Sequence, residues 1–268
     1  AGPLTEGGIK RGKGFSFHPG WHAEWQEARR GKIQVAMRLN PDGTVMLDAP
    51  TVETGPGSNT CNVLGCAEAL GFLAITPADI KWTSVVDTDK SLKDTVQTDS
   101  AVSFLQSEAM VDAAAELKRK ILETAAGVLK AKPEELDIKE GRIFPKGDPS
   151  KGVPFRDVLW QGDLVPIAVS ISRPPAGEKT GVPFLAAFSE VSVDTSTGKV
   201  TVDKLVILND CGTVMYASGA EAQQLGGQVA GLGETLTEEI IYDEATGIPL
   251  KFNWIDYKIP TIADMPDT

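Results

Sequence analysis

A short loop with two glycines, VETGPGSNT (residues 52–60), has the most distinctive chemical potential in this sequence. Gly55 and Gly57 permit positive φ or close approach of another group to the backbone. A helix is predicted to follow, and free backbone amides at Ser58 and Asn59 would suit a phosphate or another anion. The alternative is a strand-to-helix turn in which Ser58 or Asn59 caps the helix. The loop lacks the third glycine of a dinucleotide fingerprint and the lysine of a P-loop.

A second candidate site lies in EAQQLGGQVAGLGE (residues 221–234), where Gln223 precedes the adjacent pair Gly226 and Gly227. A glutamine amide can hydrogen-bond a planar heterocycle without adding charge. Glycines destabilise a helix, so several of them in a predicted helix indicate close approach of another backbone or of a ligand. A tightly packed helix that carries two exposed glutamines is the alternative.

The only histidines, His18 and His22, are spaced four residues apart. That spacing places two metal ligands on one helix face, but the Pro-Gly pair between them disfavours a helix, and no third ligand accompanies them. Trp21 and Trp25 lie on the same segment and could line a flat pocket, or they could belong to a partly buried loop.

These candidates are positioned by elements whose order predicts an α+β fold with mixed, mostly antiparallel sheets and packed helices. Residues 32–40 begin a first hairpin, and a second flanks the turn at 195–198. A helix is also predicted at 220–240. The longest helix is predicted at 99–129, with an apolar face formed by Met110, Ala114, Leu117, Ile121, Ala125 and Val128. Both hairpins and the long helix are expected to share one contiguous apolar core. The Gly- and Pro-rich stretch 145–182 is interpreted as an inserted excursion.

Composition restricts the classes of partner. The formal net charge of −11 argues against a nucleic-acid partner, because phosphate binding requires clustered Lys and Arg. The longest apolar run, near residues 164–171, is far too short to span a membrane. Three cysteines do not suggest a disulfide framework, so a reducing compartment, the cytoplasm, is expected.

The segments, in this order, resemble the molybdenum-binding subunit of the xanthine dehydrogenase / aldehyde oxidase family. The resemblance runs from about KRGKGFSF to YKIPTIADMP, and it is strongest in FSEVSVDTSTGKV and in NDCGTVMYASGAEAQQLGGQVAGLGETLTEEIIYD. It implies that residues 1–268 are the second, C-terminal half of a molybdenum-cofactor-binding domain of the xanthine dehydrogenase type. It also implies that the final catalytic segment is lacking, because the chain stops at Thr268 before the family's G-x-G-E motif.

The resemblance implies site residues as well. The loop of Gly55, Gly57, Ser58 and Asn59 corresponds to the family's G-Q-G loop, whose glutamine contacts the molybdopterin; here the middle residue is Pro56. Gln223, with Gly226 and Gly227, matches the family's second cofactor segment. Trp25 falls near an aromatic position of the substrate pocket, and His22 lies on the same loop. No catalytic residue and no metal ligand is assigned to this chain.

Two functions follow from the resemblance. In the first, the chain is part of an oxidoreductase that hydroxylates an aldehyde or aromatic heterocycle with oxygen from water. Molybdopterin would be shared with a chain or segment that carries the first half of the subunit, and iron–sulfur centres and FAD would lie only in partner subunits. This chain would be inactive by itself. In the second, it is a non-catalytic structural or assembly subunit. The length of the resemblance and Gln223 favour the first, whereas Pro56 and the glycine-free stretch 94–103, where the family has a cofactor loop, favour the second.

Overall fold

The computed structural model describes residues 8–19, 32–82, 87, 89–93, 102–162, 164–174 and 183–266. The chain divides into two compact units. Unit 1 comprises residues 1–22 and 181–268, and unit 2 comprises residues 23–180. The predicted second-half-domain assignment for residues 1–268 stays a prediction.

The described strands are, in chain order, β1 (Ile9–Pro19), β2 (Ile33–Leu39), β3 (Val45–Asp48), β4 (Ile80–Trp82), β5 (Leu136–Lys139), β6 (Arg142–Pro145), β7 (Val153–Pro154), β8 (Ile167–Arg173), β9 (Phe184–Asp194) and β10 (Val200–Asp210). The described α-helices are α1 (Ser58–Ala69), α2 (Val102–Leu129), α3 (Phe155–Gln161) and α4 (Ala217–Leu236). No described helix has the length and apolar character needed to cross a membrane.

Unit 2 is built on a four-stranded sheet in the order β4-β3-β2-β8. The β3–β4 pair is parallel, and the β2–β3 and β2–β8 pairs are antiparallel. In β2, alternate residues from Ile33 to Leu39 are buried, because successive side chains of a strand point to opposite faces of the sheet. The turn between β2 and β3 contains Gly43 at φ +87°, a conformation that favours glycine. The predicted first hairpin is confirmed.

Helix α2 covers this sheet and supplies the centre of the core. Its buried side chains include Met110, Leu117 and Ile121, which are spaced seven and four residues apart and therefore share one helix face. It contacts α1, β2 and β8. The predicted apolar face of the long helix is confirmed.

The interpretation of residues 145–182 as an excursion is wrong, because this stretch contains the sheet strand β8. Ile167 and Val169 are buried, and β8 pairs with β2 along its whole length. Polar contacts join β8 to α2 as well. The Lys120 ammonium donates to the carbonyl of Ala168 at 2.8 Å, and the Arg173 guanidinium lies 3.3 Å from a carboxylate oxygen of Asp112.

Unit 1 contains a three-stranded antiparallel sheet in the order β1-β9-β10, together with helix α4. The predicted hairpin around residues 195–198 is confirmed, while the pairing of β1 with β9 was not predicted. Phe15 of β1 lies opposite Phe188 of β9, and their ring centroids are 4.8 Å apart. Helix α4 ends at Leu236, earlier than the predicted residue 240, and the Thr237 amide donates to the carbonyl of Gly233 there.

The apolar core belongs to unit 2. Among the described residues, every buried hydrophobic side chain lies between Ile33 and Val169. The sheet of unit 1 instead carries exposed aromatic side chains, including Phe15 at 64% and Phe17 at 56% exposure. The expectation that both hairpins share one contiguous core is therefore wrong, because the second hairpin contributes no residue to it.

Substitution of Leu117 by alanine should destabilise unit 2 by about 2–5 kcal/mol, because it opens a cavity at a fully buried position of α2. The measurement is urea unfolding followed by far-ultraviolet circular dichroism. Val111→Ala is the matched control on the same helix, where the side chain is 60% exposed. Equal midpoints for the two variants would contradict the assigned core face.

Candidate functional site

The predicted cofactor loop joins β3 to α1 and takes its shape from its two glycines. Gly55 has φ +112° and Gly57 has φ +86°, which are backbone conformations that residues other than glycine rarely adopt. Gly57 occupies the N-cap position of α1, and no side chain caps the helix from that position. The predicted capping by Ser58 or Asn59 is therefore wrong. Ser58 is the first residue of the helix and is buried.

The carboxylate of Glu53 lies where an external anion was expected. Its Oε1 accepts hydrogen bonds from the amides of Gly55 at 2.8 Å and Gly57 at 2.9 Å. Its Oε2 accepts one from the amide of Asn59 at 3.1 Å. The first amides of a helix have no partner within the helix, so a carboxylate at this end satisfies them and interacts favourably with the helix dipole. We call these three amides, with the Glu53 carboxylate that they hold, the Glu53 ring.

The amides of the ring also act on the ionisation of Glu53. Burial opposes the charged form, but the amide donors, those of Asn59, Gly57, Gly55 and Ser58, outweigh it and lower the pKa of Glu53 below its usual value. The carboxylate is therefore ionised at neutral pH and carries a full negative charge into the ring.

A buried polar cluster anchors the other side of the loop. The Thr51 hydroxyl donates to Asn59 Oδ1 at 3.1 Å, and Asn62 Nδ2 donates to the Thr51 hydroxyl at 3.0 Å. Thr51 and Asn62 are 4% and 1% exposed, so these bonds are shielded from water. Both the side chain and the amide of Asn59 are thus engaged within unit 2, which ties the end of β3 to the first turn of α1.

The Glu53 ring does not fit the phosphate of a molybdopterin as it stands. A phosphate would have to displace a carboxylate that three amides hold, or lie beside a group of like charge. Pro56 at the tip has no amide hydrogen to offer. Gly55 remains accessible, because a Cβ built there meets nothing within 4 Å. The loop therefore offers an open surface at Gly55 rather than free donors.

Helix α4 presents the second group of predicted residues. Gln223, Gly226 and Gly227 are exposed, and a Cβ on either glycine would meet nothing within 4 Å. Unlike Gln223, its neighbour Gln224 is engaged with β10, accepting from Asn209 Nδ2 at 3.2 Å. The two glycines are thus free of close packing within the described residues and leave the helix backbone open to a flat group.

Sequence reasoning missed two residues that the structure singles out. Glu53 was part of the quoted loop, and its position four residues before Gly57 was the available signal. Gln228 on α4 is 7% exposed, and its Oε1 has no hydrogen-bond partner in the part of the chain that the structure describes. A buried acceptor without a partner is uncommon in a folded protein and adds an unmet polar group to this helix.

The remaining predicted residues belong to the N-terminal segment of the chain. His22 and Trp25 lie outside the described residues. His18 is exposed on β1. In the described ranges, no cluster of three or more His, Cys, Asp or Glu side chains could hold a metal ion. The loop with Gly55 and Gly57 lies in unit 2, and Gln223 lies in unit 1.

Comparison with known proteins decides the family. Residues 3–266 match the family described as "Molybdopterin cofactor-binding domain". The chain belongs to this family. The resemblance to the molybdenum-binding subunit of the xanthine dehydrogenase family, drawn from the sequence, is thereby confirmed.

Named relatives agree with this assignment. The chain is 28% identical to the xanthine dehydrogenase molybdenum-binding subunit of Escherichia coli O157:H7, over 97% of this chain and 35% of the relative. It is 26% identical to the carbon monoxide dehydrogenase large chain of Hydrogenophaga pseudoflava, over 86% of this chain and 29% of that one. The chain thus spans about a third of the length of these relatives.

Solved structures support the fold. The structure of quinoline 2-oxidoreductase from Pseudomonas putida 86 superposes with a TM-score of 0.81 at 23% identity, covering 97% of this chain and 34% of that one. The α+β class with mixed, mostly antiparallel sheets is confirmed.

Substitution of Glu53 by glutamine should lower the stability of unit 2 by about 1 kcal/mol at neutral pH, comparable to the loss of a helix cap. The pKa of Glu53 is lowered in the folded chain. Its contribution is therefore present above the pKa of an unfolded glutamate, about 4.3, and is lost as the pH falls through the folded value. Thermal unfolding of both proteins across this pH range measures the difference.

The gap between wild type and Glu53→Gln should close as the solution becomes acidic. A gap that stays constant with pH would show that the carboxylate charge contributes nothing to the ring. Glu68→Gln, at an exposed glutamate of α1, is the control for the loss of a negative charge.

Proposed function

We propose that this chain is the part of a molybdenum hydroxylase that binds one side of the molybdopterin cofactor. The observation that carries the proposal is the match of residues 3–266 to the molybdopterin cofactor-binding domain family. The complete enzyme would hydroxylate an aldehyde or an aromatic heterocycle with oxygen from water. The chain would not act alone, because it spans about a third of the length of the enzymes it resembles.

Helix α4 is the element best suited to hold the cofactor. The exposed amide of Gln223 would hydrogen-bond the edge of the pterin, since a glutamine offers both a donor and an acceptor. Gly226 and Gly227 would let the flat ring approach the helix backbone. When bound, the molybdenum cofactor supplies the redox and oxygen-transfer chemistry. This chain's residues contribute binding and orientation.

The loop of Gly55, Gly57, Ser58 and Asn59 would contribute differently. The amides of Gly55, Gly57 and Asn59 are held by Glu53, so within unit 2 the loop would offer the cofactor the open backbone at Gly55 rather than these donors. His22 and Trp25 remain proposed residues of the substrate pocket.

The surface of unit 1 supports a further polypeptide as partner. Its C-terminal segment exposes large apolar side chains, with Phe252 at 77%, Trp254 at 82%, Ile255 at 76% and Ile262 at 91% exposure. Apolar surface of this extent usually marks an interface. We assign it to the chain or segment that carries the first half of the molybdenum subunit. Iron–sulfur and flavin subunits would complete the electron path.

A second candidate function is a non-catalytic structural or assembly subunit. The filled Glu53 ring and the absence of a donor at Pro56 favour it, because both remove contacts that a cofactor loop would offer. All three cysteines are free, which supports the cytoplasm as the compartment of either form.

Elemental analysis separates the two functions. The complete complex that contains this chain should hold molybdenum, whereas this chain purified alone should hold none, because one wall of the site is missing. A folded complex without molybdenum would favour the structural subunit. Stoichiometric molybdenum in the isolated chain, with hydroxylation of an aldehyde or purine, would contradict the need for a second polypeptide.

Substitution of Gln223 by alanine should lower the molybdenum content of the complex. Loss of a hydrogen bond to a buried partner costs about 1–3 kcal/mol, which corresponds to weaker retention of the cofactor by roughly 5-fold to 150-fold. The measurement is molybdenum per complex after dialysis. Glu221→Ala, at an exposed residue of the same helix, is the control. Unchanged molybdenum content and turnover in Gln223→Ala would remove Gln223 from the site.

A further inference from the structure

We propose that Glu53 is the positioning residue of the loop: its carboxylate fills the ring of amides of Gly55, Gly57 and Asn59, so the loop takes no anion from outside. It follows, on the basis of the proposed function, that the phosphate of the cofactor is held by other residues. The first statement concerns this chain alone and is tested without cofactor.

Backbone amide donors of the loop converge on the Glu53 carboxylate. Three amides from a segment of five residues point to the two oxygens of one carboxylate, at 2.8, 2.9 and 3.1 Å. Such convergence requires left-handed backbone at Gly55 and Gly57, and both glycines adopt it. A ring of amides in this arrangement binds an anion, and here the anion is supplied by the chain itself.

Buried polar side chains anchor the ring at Asn59. Asn59 is fixed through Thr51 and Asn62, which are buried, so the amide of Asn59 is not free to turn towards another ligand. Glu53 lies only two residues after Thr51 in the segment that follows β3. Its carboxylate is therefore within reach of the ring. The contact is therefore local and forms whenever unit 2 folds.

The negative charge of Glu53 opposes the binding of a second anion at the ring. Glu53 is ionised at neutral pH, because the amide donors outweigh the effect of burial on its pKa. A phosphate that approached the ring would meet a negative charge that already accepts from the three ring amides. Repulsion and the loss of these hydrogen bonds both oppose binding.

The test is a titration of the isotope-labelled chain with inorganic phosphate at constant ionic strength and neutral pH, followed by amide resonances. The wild-type chain should show no shift at Gly55, Gly57 or Asn59. Glu53→Ala should melt at a lower temperature, should gain phosphate-dependent shifts at these three amides, and should recover part of its melting temperature when phosphate is added. Such rescue distinguishes an emptied ring from general loss of structure.

Glu68→Ala is the matched control. It removes one carboxylate from the exposed side of α1 and should behave like the wild type in phosphate. Phosphate-dependent shifts of the three amides in the wild type would overturn the proposal. The proposal is also overturned if Glu53→Ala neither melts at a lower temperature than the wild type nor gains phosphate-dependent shifts.

A second measurement covers the case in which Glu53→Ala does not fold. Glu53→Gln keeps the shape of the side chain and one acceptor oxygen, and its three ring amides should exchange with solvent faster than those of the wild type. Equal exchange rates would overturn the proposal. Molybdenum content of the complex decides the proposed function separately, so the two can fail independently.

Discussion

The packing of helix α2 on the four-stranded sheet is the interaction on which the rest of unit 2 depends. Leu117 and Ile121 are fully buried at this contact, as are Val35 and Met37 on β2. The hairpin of β2 and β3 ends where the candidate loop begins, and α1, which follows the loop, packs on α2. Both ends of the loop are therefore held by the apolar core.

Polar contacts then determine what the loop can bind. A helix that starts in a loop leaves its first amides without partners, and they must be satisfied by side chains, water or a ligand. In this chain Glu53 accepts from the amides of Gly57 and Asn59 at the start of α1, and the Thr51 hydroxyl holds the side chain of Asn59. What remains for a ligand at this loop is the open backbone of Gly55, which lies beside the ionised carboxylate of Glu53.

The two units differ in how they are stabilised. Unit 2 buries an apolar core, whereas the described sheet of unit 1 is held by backbone pairing and exposes large side chains on β1, β9 and β10. A sheet with an apolar face must bury that face against another layer. This difference is the physical basis for the partner proposed above. The partner would cover exposed apolar side chains of unit 1, which is also the unit that contains Gln223.

The sequence by itself determined the elements with strong periodicity or clear turn residues: β2 with its hairpin, the apolar face of α2, and the hairpin around residues 195–198. It also carried enough family-specific pattern to indicate the molybdopterin-binding fold. Only the tertiary structure placed β8 beside β2 and β1 beside β9, because strand partners distant in the chain leave no local signal. Only the structure identified the occupant of the amide ring. The direction of the Gly55, Gly57 and Asn59 amides depends on backbone angles that the folded core holds, and no spacing of residues specifies them.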